Sequence, residues 1–178
     1  YSDESFSFLI IEGRIVNPHS RVDLTNERLE ELTRVNFNNL PFKKAIKVVK
    51  GNGKRRIAVF SDVDCPFCKK LERETIAKLD NITVYNFLYP LAIHPNAKSK
   101  SAQIWCAPDR VKAWNNAMVL GELTENKDDC ETPINDTISL ARDLGITSTP
   151  TIILSSGKQL PGALPAEDLE KYLDGKYD

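Results

Sequence analysis

The segment that most constrains the fold of this chain is Cys65-Pro66-Phe67-Cys68, because the sequence on its two sides has different periodicities. Residues 55–63 contain the apolar run 57–60 and three β-branched side chains, which is typical of a strand. Residues 66–79 instead repeat apolar side chains at helical spacing. The two cysteines are therefore predicted to lie where a strand turns into a helix.

At such a turn the two thiols have different chemistry. Cys65 would lie at the helix N-terminus, where unpaired backbone N–H groups and the positive end of the helix dipole favour a thiolate. Cys68 follows on the helix and is expected to be more buried. An exposed reactive thiol with a recessed partner suits thiol-disulfide exchange. Asp62 and Asp64 are interpreted as residues that end the strand, although a carboxylate close to Cys68 could accept its proton.

A Cys-x-x-Cys segment also occurs in zinc sites, which usually need four ligands. The other cysteines, Cys106 and Cys130, do not form a second close pair, and His19 and His94 have no paired spacing. We therefore predict no metal and no other cofactor, and we keep a zinc-stabilised binding module as the alternative from a different functional class. His94 is interpreted as a solvated loop residue.

Charge and hydropathy argue against two further classes of protein. The 178 residues carry 24 basic and 25 acidic side chains, so no overall field attracts nucleic acid or anionic lipid. The basic stretch from Lys43 to Arg56 has only Phe42 as an aromatic neighbour, and we interpret it as a solvated edge hairpin. The apolar runs are much shorter than the ~20 residues that span a bilayer, which predicts no membrane insertion.

The order of predicted elements divides the chain near residue 40. Residues 1–40 contain short strands and a helix at residues 25–35, and a polar connector ends at Pro41. Residues 41–178 form the second predicted domain, which begins with a hairpin around Gly51-Asn52-Gly53. The later elements are predicted as a helix at 66–79, a strand at 82–91, helices at 99–106 and 109–120, a helix starting at Pro133, strands at 150–154 and 159–161, and a helix at 166–173.

The dipeptide Thr149-Pro150 opens the first of those two late strands. A proline at this position can be an edge device only, because it has no N–H for the sheet ladder. A cis Thr149-Pro150 bond would instead leave backbone groups beside Cys65 free to pair with an extended substrate. Both interpretations are consistent with the sequence.

Taken in this order, the motifs resemble the DsbC/DsbG family of periplasmic protein disulfide isomerases, within the thioredoxin superfamily. The segments that carry the resemblance are Phe60-Ser61-Asp62, Cys65-Pro66-Phe67-Cys68, Ile104-Trp105-Cys106-Ala107, Leu144-Gly145-Ile146, Thr149-Pro150 and Pro161-Gly162. The resemblance implies an α/β thioredoxin-like fold with a helical insertion at about residues 92–132. It also implies that residues 1–40 are a partial N-terminal β-rich dimerisation segment plus a linker helix.

By this resemblance Cys65 is the nucleophile and Cys68 is the resolving thiol of a protein disulfide isomerase. The expected substrate-binding residues are Pro66, Phe67, Thr149 and Pro150. Cys106 and Cys130 resemble the structural disulfide of the family, and a buried bridge is expected. Two buried reduced cysteines are the alternative for this pair.

The resemblance also implies a periplasmic location and several partners. These are substrate proteins with non-native disulfides, a membrane thiol reductant that keeps the active site reduced, and a second copy of the chain. Family members dimerise through an N-terminal domain, but residues 1–35 resemble only its later strands and the linker helix. Either the chain is truncated or its dimerisation module is small. We therefore expect a monomer or weak dimer with low isomerase activity, and a monomeric thiol oxidase or reductase is the alternative within the class.

Overall fold

The structure, a computed structural model, describes residues 1–123, 127 and 129–176. Residues 124–126 and 128 of the predicted insertion, and residues 177–178 of the second predicted domain, lie outside the described residues. The chain divides into two units, residues 1–34 and residues 35–178.

The first unit is a β-hairpin followed by a short helix. Strands β1 (Leu9–Ile11) and β2 (Arg14–Val16) pair antiparallel. Glu12-Gly13 joins them, and both residues have positive φ angles of 51° and 79°, as the tightest hairpin turns require. Helix α1 (Leu24–Leu32) begins after Asp23, whose side chain accepts a backbone N–H of the first turn, and none of its residues is buried.

The second unit is built on a five-stranded mixed sheet. Its strands lie in the order β3-β5-β4-β6-β7. The two neighbours β4 and β5 are parallel, and the other neighbouring pairs are antiparallel. The bounds of the strands are β3 (Ile46–Lys50), β4 (Arg55–Ser61), β5 (Ile82–Leu88), β6 (Thr151–Leu154) and β7 (Gln159–Pro161).

The hairpin predicted around Gly51-Asn52-Gly53 is wrong. Strand β5 lies between β3 and β4, because Val84 pairs with Val48 of β3 on one side and with Ile57 of β4 on the other. The turn therefore connects β3 and β4, which β5 separates in the sheet, instead of joining two neighbouring strands. Strand β3 is still an edge strand, as the basic stretch indicated.

Helices and helical turns cover both faces of this sheet. Ile57 and Val59 of β4 pack with the turn Leu71–Thr75 and the last helix, whereas Ala58 and Phe60 pack on the opposite face. In the described residues no helix is both long and apolar enough to cross a membrane. The helices are α2 (Pro66–Lys70, continued by the π-helical turn Leu71–Thr75), α3 (Ala97–Cys106), α4 (Arg110–Asn115, continued by the π-helical turn Asn116–Leu120), α5 (Ile134–Asp143) and α6 (Ala166–Leu173).

The connector before β3 belongs to the second unit. Phe37 and Leu40 are buried in the same apolar cluster as Phe60 and Ala141. These two side chains are anchored in the core of the sheet, which explains why the division of the chain falls before residue 35 and not at the proline that follows them.

Candidate active site

Cys65 and Cys68 lie at the turn from the central strand β4 into α2. Cys65 occupies the N-cap position of α2, and Pro66 is its first residue. The backbone N–H of Cys65 donates to the carbonyl oxygen of Asp62 at 3.2 Å, and the Cys65 carbonyl accepts the N–H of Lys69 at 3.2 Å. Proline suits the first helical position because its missing N–H is not needed there. Both cysteines are free thiols.

Cys65 contacts the loop that precedes β6. Its thiol donates to the carbonyl oxygen of Thr149 at 3.4 Å, across 84 residues of sequence. The Thr149-Pro150 peptide bond is cis, and the Pro150 carbonyl accepts the N–H of Gly162 at 2.7 Å. The expectation that Cys65 is exposed is wrong, since only 5% of the residue is exposed. The Thr149 loop covers it.

Cys68 is more deeply buried, with no exposed surface. The backbone N–H of Asp62 donates to its Sγ at 3.4 Å. Burial strongly raises the pKa of the Cys68 thiol, and the Asp62 hydrogen bond opposes that rise. Cys68 is therefore held as a thiol at neutral pH, with one backbone donor already directed at the sulfur.

The two residues between the cysteines are exposed to solvent. Phe67 is 62% exposed, and Pro66 is exposed beside it. Thr149 and Pro150 are buried. The predicted substrate-binding residues thus divide into a solvent-facing pair and a buried pair that covers the first thiol, and their role in binding stays a prediction.

The interpretation of His94 as a solvated loop residue is wrong. Its Nδ1 lies 2.9 Å from Oδ2 of Asp62, whose side chain is completely buried. Strands β4 and β5 are parallel, so the segments that follow them emerge at the same edge of the sheet. Only this parallel pairing relates Asp62 to His94, and the sequence did not predict it.

A second carboxylate beside Cys65 also pairs with a residue of the helical insertion. Lys100 of α3 donates to Asp64 Oδ1 at 2.5 Å, and both side chains are partly exposed. The backbone N–H of Asp64 donates in turn to Asp62 Oδ1 at 2.7 Å. The two aspartates therefore do more than end the strand, because each connects the thiol turn to the insertion.

Glu72 is a buried carboxyl group that sequence reasoning missed. It lies one helical turn after Cys68, and Trp114 Nε1 donates to its Oε1 at 3.3 Å. Burial raises the pKa of Glu72 from 4.5 to about 7, whereas the hydrogen bond from Trp114 and the charge of Lys50 lower it. A Glu in an otherwise amphipathic pattern looks solvent-facing, and the π-helical turn Leu71–Thr75 changes which side chains point inward.

Cys106 and Cys130 form a disulfide with an S–S distance of 2.00 Å. Cys106 is the last residue of α3. The expectation of a buried bridge is wrong, because Cys106 is only half-buried and Cys130 is exposed. The helix end lies at the surface of the insertion, which keeps this disulfide accessible to solvent.

Within the described part of the chain, no three His, Cys, Asp or Glu side chains are grouped so that they could hold a metal ion. Cys68 and Cys65 lie in an apolar cluster with Trp105, Trp114 and Met118. The arrangement offers two thiols of unequal burial, backbone hydrogen bonds to both sulfurs and an exposed aromatic side chain between them. It can carry out thiol-disulfide exchange.

Residues 42–176 match the family of thioredoxin-like domains. The probable thiol:disulfide interchange protein DsbC of Bordetella pertussis is 42% identical over 173 residues, which are 97% of this chain and 61% of that protein. DsbC of Escherichia coli K12 is 31% identical over 171 residues, which are 93% of this chain and 69% of that protein.

A crystal structure of a disulfide interchange protein from Neisseria gonorrhoeae has the same fold. It is 42% identical with a TM-score of 0.73, and the match covers 76% of this chain and 97% of that one. The chain spans about 61% of the length of the Bordetella relative. On the family match, the identities and the shared fold, this chain belongs to the DsbC family of thiol:disulfide interchange proteins, within the thioredoxin-like proteins.

Proposed function

We propose that this chain is a thiol-disulfide oxidoreductase that acts as a protein disulfide isomerase or reductase through Cys65 and Cys68. The observation that carries the proposal is the unequal setting of the two thiols at one strand-to-helix turn. Cys65 Sγ donates to the Thr149 carbonyl, and Cys68 Sγ is buried and accepts the Asp62 N–H. The interchange activity named for the relatives agrees with this setting.

The proposed reaction begins when the Cys65 thiolate attacks a disulfide of a misfolded or oxidised substrate protein. A Cys65–substrate disulfide forms, and the other substrate sulfur leaves as a thiolate. In isomerisation, a substrate thiolate attacks this mixed disulfide and returns Cys65 as a thiolate. In reduction, Cys68 attacks Cys65, the substrate leaves reduced, and Cys65 and Cys68 become a disulfide that an external dithiol must reduce.

Substrate binding is proposed for the residues that border Cys65. The exposed ring of Phe67 offers apolar surface to an unfolded segment, and Pro66 lies next to it. The Thr149 backbone also borders the Cys65 sulfur, and an extended substrate could pair with it. Substrates of this kind are proteins with non-native disulfides.

A weak homodimer, a periplasmic location and a membrane thiol reductant are also part of this proposal. The support for the dimer is the apolar surface of the first unit, where six aliphatic side chains are at least 38% exposed. These are Ile10, Ile11, Ile15, Leu24, Leu29 and Leu32. Side chains of this kind favour association with a second apolar surface. The support for the periplasm and the reductant is the family resemblance.

The test is the refolding of a protein with scrambled disulfides, with and without added reductant. Recovery of the native protein at substoichiometric amounts supports isomerase activity. Recovery of free thiols without native protein supports the reductase alternative, and net formation of disulfides supports the oxidase. Stoichiometric bound zinc with no exchange would contradict the proposal and favour the zinc-stabilised binding module.

A further inference from the structure

Asp62 connects both thiols to the surrounding structure. Its backbone N–H donates to Cys68 Sγ at 3.4 Å, and its carbonyl oxygen accepts the N–H of Cys65 at 3.2 Å. Both contacts depend on how the Asp62 backbone is oriented. Any contact that fixes the orientation of Asp62 therefore also fixes the backbone N–H that donates to Cys68 Sγ.

The side chain of Asp62 is held by hydrogen bonds from two directions. Its Oδ1 accepts the N–H of Asp64 at 2.7 Å, and its Oδ2 accepts the N–H of Leu91 at 2.7 Å. His94 Nδ1 lies 2.9 Å from the same Oδ2. With Asp62 ionised, its oxygens can only accept hydrogen bonds, and His94 Nδ1 is assigned as the donor.

We propose that His94 is a positioning residue for the step in which Cys68 resolves a mixed disulfide. By its hydrogen bond to the carboxylate, His94 keeps Asp62 in the orientation that directs the backbone N–H at Cys68 Sγ. The imidazole itself is 24% exposed, whereas the Asp62 side chain has no exposed surface. The inference rests on the proposed function and deepens it.

The physical reason is the cost of removing a hydrogen bond from a buried carboxylate. If the imidazole is removed, Asp62 Oδ2 keeps the Leu91 N–H but loses the second of its two donors, so the buried charge is less well compensated and the side chain can rotate. Rotation disturbs the backbone of the same residue. The Asp62 N–H then stabilises the Cys68 thiolate less well. Because burial already disfavours this thiolate, it becomes still less available for the attack.

The step concerned has a simple balance. Cys68 loses its proton, which passes to the solvent, and the resulting thiolate attacks Cys65 Sγ of the mixed disulfide. The Cys65–Cys68 bond forms while the bond from Cys65 to the partner sulfur breaks. The partner leaves with the electron pair as a thiolate and is protonated by water. The two cysteines are oxidised, and the partner is reduced.

Oxidised glutathione is the probe that separates attack by Cys65 from resolution by Cys68. Reduced protein is mixed with it, samples are quenched with acid, and mass spectrometry follows the glutathione adduct on Cys65. In His94→Ala, formation of the adduct should keep its rate, and decay of the adduct should slow about five- to tenfold, the effect of one weakened hydrogen bond. His94→Asn, whose amide N–H can replace the Nδ1 donor, should restore the decay.

Lys98→Ala is the matched control. Lys98 lies beside His94 in the same cleft, next to Leu91 and Tyr89. This variant removes a neighbouring long side chain and its charge, and it should resolve the adduct at the wild-type rate. In an Asp62→Asn background, the change His94→Ala should have little further effect, because His94 acts through that carboxylate.

Several results would overturn the inference. These are wild-type decay in His94→Ala, equal slowing of both steps, equal slowing in Lys98→Ala, or no recovery in His94→Asn. If circular dichroism shows that His94→Ala is unfolded, His94→Gln replaces it and must show the same slow decay, because its longer side chain does not reproduce the Nδ1 position. A wild-type protein that forms no adduct at all would instead contradict the proposed function, so the two failures are distinct.

Discussion

The pair Cys65–Cys68 is more buried than the bridge Cys106–Cys130, although Cys65 was expected to be exposed and the bridge to be buried. The two free thiols are 5% and 0% exposed, whereas the bonded pair has one half-buried and one exposed cysteine. Burial alone therefore does not distinguish a reactive pair from a structural one. The difference lies in the surroundings, since the Asp62 N–H donates to Cys68 Sγ and the Thr149 carbonyl accepts the Cys65 thiol.

The strongest test of this comparison is Cys65→Ser. If the buried pair is the reactive one, this variant should catalyse no exchange above the uncatalysed rate, because no other thiol lies at the helix start. Reduction of a scrambled protein measures the effect. Full activity in Cys65→Ser would contradict the assignment of the nucleophile.

Cys68→Ser should separate the two thiols within the pair. Attack by Cys65 should still occur, but the mixed disulfide should accumulate because the resolving thiol is missing. Non-reducing mass spectrometry detects this adduct. In the wild-type protein, an alkylating agent should modify Cys65 before Cys68, whose burial raises the pKa of its thiol. Equal alkylation rates for Cys65 and Cys68 would contradict this difference between the two thiols.

The double variant Cys106→Ser, Cys130→Ser tests the other half of the comparison. The bridge closes a loop with a sequence separation of 24 residues. Its removal should lower the free energy of unfolding by about 3.5 kcal/mol on the chain-entropy estimate. Denaturant unfolding measures the loss, and exchange activity below the new midpoint should be retained. Lost activity in a folded double variant would show that the bridge takes part in the reaction.

Glu72 links the two cysteine pairs, because its hydrogen bond joins the helical segment that continues α2 to Trp114, which lies inside the loop closed by the bridge. Its pKa is raised from 4.5 to about 7, so between these values the folded state binds more protons than the unfolded state. The free energy of unfolding should therefore fall as the pH rises through this window, by up to about 3 kcal/mol.

Denaturant unfolding at pH 5 and pH 8 measures this effect. Glu72→Gln cannot ionise, so it should lose the decrease seen in the wild-type protein. Glu74→Gln is the control, since this side chain is 62% exposed on the same helical segment. A pH dependence that Glu72→Gln leaves unchanged would show that Glu72 is not its source.

The sequence predicted the local elements of the second unit better than their arrangement. Helix α6 begins and ends at the predicted residues, and β7 does as well. The hairpin was wrong because the Gly51-Asn52-Gly53 turn contacts Asn81, at the start of β5, and not a partner strand alone. Asn81 Oδ1 accepts the N–H of Asn52, and its carbonyl accepts the N–H of Arg55. Turn chemistry describes a few residues, whereas strand order depends on distant ones.

The candidate site shows the same limit. The strand-to-helix position of Cys65 and Cys68 could be predicted from periodicity, because it depends on neighbouring residues. The partners of Asp62 and Glu72 could not, since His94 and Trp114 approach them from other elements. A single histidine or glutamate carries no periodicity of its own, and only the parallel pairing of β4 and β5 relates Asp62 to His94.

The insertion of β5 between β3 and β4 also determines the order in which a growing chain can complete its sheet. Strand β4 acquires its first neighbour only when Ile82–Leu88 has been synthesised, and its second only with Thr151–Leu154. Until then its edges are unpaired, and the thiols that follow it are uncovered. Cys106 is synthesised before Cys130, so until Cys130 is added the other cysteines of the chain are Cys65 and Cys68. For a chain that matures under oxidising conditions, a disulfide from Cys106 to Cys65 or Cys68 would then compete with correct folding.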